Sequence, residues 1–443
     1  MTLVRSFPFN RRTAAHGIFN AVALVVLNFG YCPAVIAQLE FEKEPIQYGS
    51  SPANDPVTKL QKKLDAGDAM LAFDEDHGYL SSVLKLLDIN PCSQMLVNSK
   101  TSSQFRRISP RQPRALYFND ESYVGWVQGG EVVEVMTTDP VQGEIFYTLA
   151  QVNDGRPKFV RDRGQCISCH VSSRTQGVPG GLVRSVFVDA AGQPQLSPGT
   201  FTIDHHSPFD KRWGGWYVTG THGKMRHMGN VTSEDRQNPE ILDREAGANV
   251  INLSDRLDVT PYLTPHSDIV ALMVLEHQTQ MQNLLTLANY ECRAATHHDG
   301  IMNAALDRPK DHVSESTLRR ISSVGDKLLR YMLFAEEFRL TAPVVGTSSF
   351  TKDFQAKGPH DSLGRSLRTF DLQTRMFAYP CSYMIYSSSF DCLPNAVRQY
   401  VLSRVYEVLT GKDNSEEFSH LSSDDRKAIL EILIETKPGL WNH

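Results

Sequence analysis

Long apolar runs are missing from this chain of 443 residues; near its start, IFNAVALVVL from Ile18 to Leu27 is ten residues with one Asn among them. A helix needs roughly 20 apolar residues to cross a bilayer, so the sequence does not read as a polytopic membrane protein. There is no internal repeat and no low-complexity tract, which sets aside solenoids, collagen-like rods and disordered linkers. An excess of positive charge is also missing. Forty-five Lys and Arg face 50 Asp and Glu, a net charge of −5, which argues against nucleic acid as a partner. Cysteine is sparse, with seven in all: Cys32, Cys92, Cys166, Cys169, Cys292, Cys381 and Cys392. No second C-x-x-C and no close Cys/His pair completes the four ligands that a zinc knuckle needs.

What is present suffices for a sizeable core. The chain is 41% hydrophobic and 21% charged, and its length suits about two to three domains. Residues 1–37 stand apart. They carry Arg5, Arg11 and Arg12, no acid, the apolar run, and then AVIA with Val35 and Ala37 as small residues ahead of Gln38. Basic, apolar and small-residue zones in that order predict a secretory signal peptide cut near Ala37. The apolar run is short for a membrane anchor. Tyr31 before Cys32 does not suit a lipoprotein, and NRRT from Asn10 is a poor twin-arginine signal. The expectation is general export to a periplasmic or secreted location, with no transmembrane segment in the mature chain. Removal of residues 1–37 takes away three bases and no acid, leaving 42 against 50 and a net charge of −8. That balance permits docking of a positively charged redox partner.

Export to an oxidising compartment permits disulfides. Cys381 and Cys392 lie in YPCSYMIYSSSFDCLP, where a bridge would close a short loop, and Cys92 and Cys292 offer a pair across the fold. Buried free thiols are the alternative, and spacing alone does not separate the two.

The pattern along the chain predicts an α+β protein with a β-rich centre and a mainly helical C-terminal half. Residues 38–92 read as a helical N-terminal segment: DPVTKLQKKLDAGDAML has Asp55 as cap and Pro56 in its first turn, and a second helix starts near Gly78. Residues 93–250 read as a β-rich domain. SQMLVNS, RALYFND, YVGWV, EVVEVMTT, EIFYTLAQ and, later, LVRSVFVD alternate or run apolar between Gly, Asn, Asp and Pro breaks. The stretch 200–230 looks like a structured loop. Residues 251–443 read as helical. A long helix is expected over 267–295, capped by Ser267 and Asp268, with Ile269, Met273, His277, Met281, Leu284 and Ala288 on one face. Further helices are expected over 316–338, 394–410 and 422–436.

The stretch GQCISCH, Gly164 to His170, carries the chemistry. Two thiols with two residues between them fall on one turn, where both reach the two vinyl groups of a porphyrin. The histidine after the second thiol is then placed beneath the iron. This order reads as covalent haem attachment, with Cys166 and Cys169 as thioethers and His170 as proximal ligand. A redox dithiol is the competing reading, but it calls for a strand–helix setting that is not apparent here.

On those three residues the chain resembles c-type cytochromes, in particular large atypical secreted proteins with a single C-x-x-C-H. The resemblance implies one covalent haem c and electron exchange with a periplasmic redox partner. It departs from the small cytochromes in placing the box far from the N-terminus, after strands, and it covers about a quarter of the chain. Di-haem peroxidases are less similar, since only one box is present.

The sixth iron position separates a carrier, with both axial sites filled, from a catalyst with one side open or weakly held. RWGGWYVTGTHGKMRHMGN, from Arg212, offers His222, Met225, His227 and Met228. Met228 is preferred, 58 residues after His170 and followed by Gly229, although core packing is the commoner use of methionine. His205 and His206 compete, or simply shape the loop after Asp204. His277, on the apolar helix face, reads as a satisfied core residue, and His297 and His298 as the end of the long helix, favouring its dipole. Trp213, Trp216 and Tyr217 are candidates to wall a haem face. Arg174 and Arg184 are candidates to pair with its propionates, as guanidinium matches carboxylate in a fork. The leading expectation is an electron-transfer haem protein. A peroxidase-like oxidoreductase is second and a haem-based sensor third.

Overall fold

The computed structural model describes residues 40–441 apart from Arg156 and Arg163. The expected signal peptide and its cleavage site lie outside the described residues. Among these, no helix is long and apolar enough to cross a membrane.

Two short helices come first, α1 (Pro56–Ala66) and α2 (Leu80–Leu86). Asp55 caps α1 by accepting from the N–H groups of Val57 and Thr58. The same carboxylate also accepts from the hydroxyls of Thr137 and Tyr147, at 2.7 and 2.8 Å. One side chain therefore starts the helix and fastens it to the sheet that follows.

That sheet is an antiparallel meander in sequence order: β1 (Met95–Val97), β2 (Arg114–Phe118), β3 (Ser122–Trp126), β4 (Val132–Asp139), β5 (Gly143–Ala150) and β6 (Phe159–Arg161). The first five strands fall where the alternation placed them; β6, three residues long, was not among the expected strands. Because side chains alternate faces along a strand, the two faces feed separate cores. Ala115, Tyr117, Val124, Trp126, Val133, Val135, Ile145 and Tyr147 pack on one side with Val57, Leu60, Leu80 and Val83 of α1 and α2. Met95, Val97, Phe118 and Tyr123 pack on the other with the C-terminal helices. Glu134, Met136, Glu144 and Phe146 share that second face, where Met136 pairs with Phe146 across β4 and β5.

After β6 come a four-residue helix α3 (Ile167–His170), the hairpin β7 (Arg184–Val188) and β8 (Pro194–Thr202), and a long irregular stretch with the short strand β9 (Gly220–Thr221). The sequence pattern did not yield β8. It is largely solvent-exposed, contains Pro198, and pairs with β7 through an irregularity at Val186/Phe187, so it lacks the period-two signal of a half-buried strand.

The C-terminal half is helical: α4 (Ile269–Ala305), α5 (Glu315–Met332), the strand β10 (Val345–Gly346) paired with β9, then α6 (Phe350–Ala356), α7 (Ser388–Asp391), α8 (Asn395–Leu409) and α9 (Ser423–Thr436). At 37 residues, α4 extends about 55 Å at the rise of an α-helix. It runs ten residues past its expected end. Gly300 sits on its open side without breaking it, and the chain turns only at Asp307, with φ 52°, before Pro309. His297 and His298 are therefore interior to the helix rather than at its C-terminus. Ser267 is not a cap either: its hydroxyl bonds to Leu96 N and Tyr217 O, and Asp268 alone caps. Helix α5 ends six residues early, because the chain turns through Phe334 (φ 57°) and Glu336 (φ 64°) and so buries Phe334 in the core.

The positions 92/93 and 250/251, expected as boundaries, fall within a single unit that begins at Glu40. One core joins Cys92, Met95, Trp213 and Trp216 to Ile269, Leu328 and Leu433. All six described cysteines are free, so neither expected bridge forms. Cys381 is enclosed in the helical core while Cys392 faces solvent at the end of α7. Burial pushes the Cys381 thiol up to about 12.

Candidate functional site

Asp162 and residues 164–181 form a tight turn system against the sheet face that carries Phe146. Asp162, just after β6, accepts from the N–H groups of Gly164, Gln165 and Cys166 at 3.0, 3.2 and 2.9 Å. That starts the turn from which α3 rises, with Cys166 at its cap. Cys169 N and His170 N then donate to Cys166 O at 3.0 and 2.9 Å. Ile167 and Val171 pack inward against the sheet core. Cys169 is left exposed and Cys166 half-buried.

His170 is held from several sides. Its carbonyl accepts from Gly180 N (3.1 Å) and Thr175 Oγ1 (3.3 Å). Its ring lies 4.8 Å from that of Phe146, centre to centre. Its Nδ1 is 2.9 Å from Gly180 O. A carbonyl only accepts, so Nδ1 carries the proton and Nε2 keeps its lone pair. Burial, with the nearby Arg114, holds the ring below the ordinary histidine range despite the Gly180 bond, which keeps the imidazole neutral near pH 7. A neutral ring, oriented through one nitrogen and bare at the other, is what a metal-ligating histidine requires.

The Cys166 thiol is pushed up to about 12, by burial first and then by the charges of Asp162 and Glu134. Reactive C-x-x-C cysteines have depressed values and follow a strand in a βαβ unit. Here the thiol is kept protonated and the preceding strand is antiparallel, so the dithiol reading gains nothing.

Arg174 and Arg184 meet. Their Nη2 atoms donate to the same hydroxyl, Thr200 Oγ1, at 3.3 and 3.2 Å. Among the described residues neither has a carboxylate within ion-pair distance, and Arg184 Nε is buried without a partner. Burial and the neighbouring Arg174 lower Arg184, while Cys169 acts on it in the opposite sense. Two guanidinium groups thus converge on one hydroxyl, with no carboxylate of the described residues paired to either.

The remaining sequence candidates lie elsewhere. Met228 Sδ accepts from Ser185 Oγ at 3.6 Å, and its methyl group lies against Gly214. Ser185 follows Arg184 on β7 and therefore points to the opposite face. Met225 is buried in the helical core. His222 Nε2 accepts from Asn249 N at 3.1 Å and His227 Nδ1 from Gly229 N at 3.0 Å. Each ring has spent its lone pair and carries its proton on the other nitrogen, so neither is free to ligate. Trp213 is fully buried against Phe209 and His227, away from His170. Trp216 Nε1 donates to Arg184 O at 2.7 Å and so braces the strand that carries the arginine. Tyr217 donates to Pro110 O.

Several residues of this site gave no signal in the sequence. Phe146 beneath His170 is one. Another is the Arg114–Glu134 pair, 3.2 Å apart. Burial works against the Glu134 charge, but Arg114 and the hydroxyls of Ser103 and Ser102 outweigh it and hold the carboxyl below its ordinary range. Strand alternation puts Glu134 and Phe146 on one face, but which loop covers that face is not written in the alternation.

A second polar cluster is fully buried. His205 Nδ1 and His277 Nδ1 are 2.8 Å apart, His277 Nε2 is 2.8 Å from Ser382 Oγ, and Arg212 pairs with Glu276. Tyr331 and Phe334 stack on both imidazoles. Ser382 has no exposed surface and its hydroxyl also caps the turn over 383–386, so the serine–histidine–histidine order here is structural. Among the described residues no group of three or more His, Cys, Asp or Glu is placed to hold a metal ion, as a zinc site would require.

No protein-family model, no curated protein and no solved structure matches the chain.

Proposed function

We propose that the chain is an exported haem c protein that transfers electrons, with Cys166 and Cys169 as the thioether residues and His170 Nε2 as the proximal ligand. The observation that carries this reading is the His170 Nδ1–H bond to Gly180 O on a turn that leaves Cys169 exposed and Cys166 half-buried. The donor set fits the group: two thiols one turn apart, one exposed and one half-buried, a neutral imidazole with a bare Nε2, and two guanidinium groups free to receive carboxylates. When bound, haem supplies a one-electron couple. The chain's own residues do the rest. Gly180 O orients the imidazole and raises its basicity, Phe146 packs against it, and Arg174 with Arg184 offer cationic partners for the propionates. A net charge of −8 after removal of residues 1–37 favours a positively charged periplasmic partner.

The test is expression in an export-competent host with haem maturation. The expected result is a mass one haem above the trimmed polypeptide, with haem stain surviving denaturation. Substitution of serine at Cys166 and Cys169 together should abolish that stain. A bare polypeptide from the wild type overturns the reading.

A second reading, an oxidoreductase with an open distal side, is favoured by one observation: Met228, His222 and His227 have other partners and Met225 is buried in the helical core. Carbon monoxide separates the two. A low-spin spectrum that ignores the gas supports the carrier, and a high-spin spectrum with rapid binding supports the oxidoreductase.

A further inference from the structure

Helix α4 crosses behind the turn that holds His170, and its buried polar residues meet that turn directly. Asn283 Nδ2 donates to Gly181 O at 2.9 Å. The Asn283 side chain lies flat against Gly180, where an added Cβ would stand 2.1 Å from Oδ1. Thr279, one turn earlier, occupies the space beside Gly181 in the same way, at 2.4 Å. Gly180 in turn gives both its polar groups to His170, its N–H to the main-chain carbonyl and its carbonyl to Nδ1. The 180–181 segment is thus gripped on one side by a rigid helix and on the other by the imidazole.

Asn283 is an uneconomical choice for packing alone. It is buried, its Oδ1 has no partner, and its other contact is a long 3.4 Å approach to Gln280 Oε1. An unsatisfied buried acceptor costs free energy that a leucine would not. What the amide gains is the bond to Gly181 O, one peptide from the carbonyl that orients the ring.

We infer that Asn283 is a positioning residue for His170, holding the Gly180 carbonyl where it fixes the Nδ1–H tautomer and leaves Nε2 free for a metal. The assignment to haem iron rests on the proposed function; the positioning does not. A carbonyl held in line with Nδ1–H makes the imidazole a stronger donor, and outer-shell bonds of this kind tune both ligand affinity and potential.

The experiment uses Asn283→Asp, which keeps the shape and removes the N–H donor, with Asn283→Ser as the alternative should the charge prevent folding. Asn289→Ala serves as control, because Asn289 also sits on α4 and donates elsewhere, to Cys392 O at 3.3 Å. Nitrogen-15 NMR of His170 in the haem-free chain is expected to show Nδ1 protonated and Nε2 bare in the wild type and in N289A. In N283D or N283S both nitrogens should move toward the average of two tautomers. In the haem-loaded protein the reduction potential should rise in the uncharged N283S, since a weaker donor favours ferrous iron, with covalent attachment intact. A wild-type tautomer retained in both folded variants overturns the assignment. Absence of covalent haem from the wild type overturns the haem reading alone and leaves the tautomer result to decide Asn283.

Discussion

At Gly180 there is no room for a single extra carbon. A Cβ there would lie 2.1 Å from Asn283 Oδ1 and 2.9 Å from its Cγ, and neither a buried amide nor the helix behind it can retreat cheaply. Gly180→Ala should therefore cost roughly 1–3 kcal/mol, read as a fall in the urea midpoint at unchanged slope. The arginines make a different prediction. Exchange of Arg174 and Arg184 together for glutamine should leave covalent attachment intact and lower the reduction potential, because removal of nearby positive charge disfavours the added electron; redox titration checks this. At this scale the sequence was readable where neighbours in the chain are neighbours in space. Cys166, Cys169 and His170 share one turn, so their spacing was enough to bring them together. Asn283 and Gly181 are 102 positions apart, and no local pattern connects them. The surroundings of Met228 were unreadable for the same reason: a glycine-flanked methionine is a common shape, and only the fold shows its sulfur accepting from Ser185 Oγ.

Among the elements, α4 depends most on one residue. Asp268 accepts from Val270 N and Ala271 N with one oxygen, and from Thr347 N, Ser348 N and Ser348 Oγ with the other. It thus caps the helix and ties down the segment after β10. An ordinary cap is worth about 1 kcal/mol. With its second set of partners lost as well, Asp268→Ala should cost roughly 2–4 kcal/mol, measured by thermal or chemical unfolding. The first five strands of the meander were legible because each buries two faces or one and is bounded by turn residues; β6, with only Phe159 buried, was not. The long helix was legible from its apolar face, but not in its length, since nothing in HHDGIMNAA says whether Gly300 will face solvent. Bridges between cysteines were not legible at all: an oxidising compartment permits them, and only the placement of Cys381 inside and Cys392 outside decides.

For the whole molecule, the interior holds titratable groups of both kinds, and their signs oppose. Burial is the main cause that raises Glu144 from 4.5 to about 8; Thr138 opposes it, and Asp55 and Glu121 add to it. Its Oε2 has no partner. The folded chain binds this proton more tightly than the unfolded one. The contribution is complete below about pH 4.5 and is lost as pH rises through about 8, at up to about 1.4 kcal/mol per pH unit. Glu144→Gln should flatten the decline in stability between those values, as unfolding at a series of pH values would show. The buried imidazoles work the other way. Burial takes His277 from 6.5 to about 3 and His205 well below its ordinary value. Their contribution is present above about pH 6.5 and is lost as pH falls toward the folded value. Replacement of His277 by glutamine should blunt the acid side of the profile even where it lowers the maximum.

Helix α4 gives its apolar side to the C-terminal helices and sets Gln278, Asn283 and Thr286 against Tyr123, Gly181 and Gly143 of the other half. The gene accordingly has no safe place to be cut. Two half-chains divided at residue 250 would each surrender a wall that the other supplies, so neither should be recovered on its own, while co-production should restore a paired, protease-resistant assembly. Recovery of a stable amino-terminal half by itself would show that the spine is dispensable.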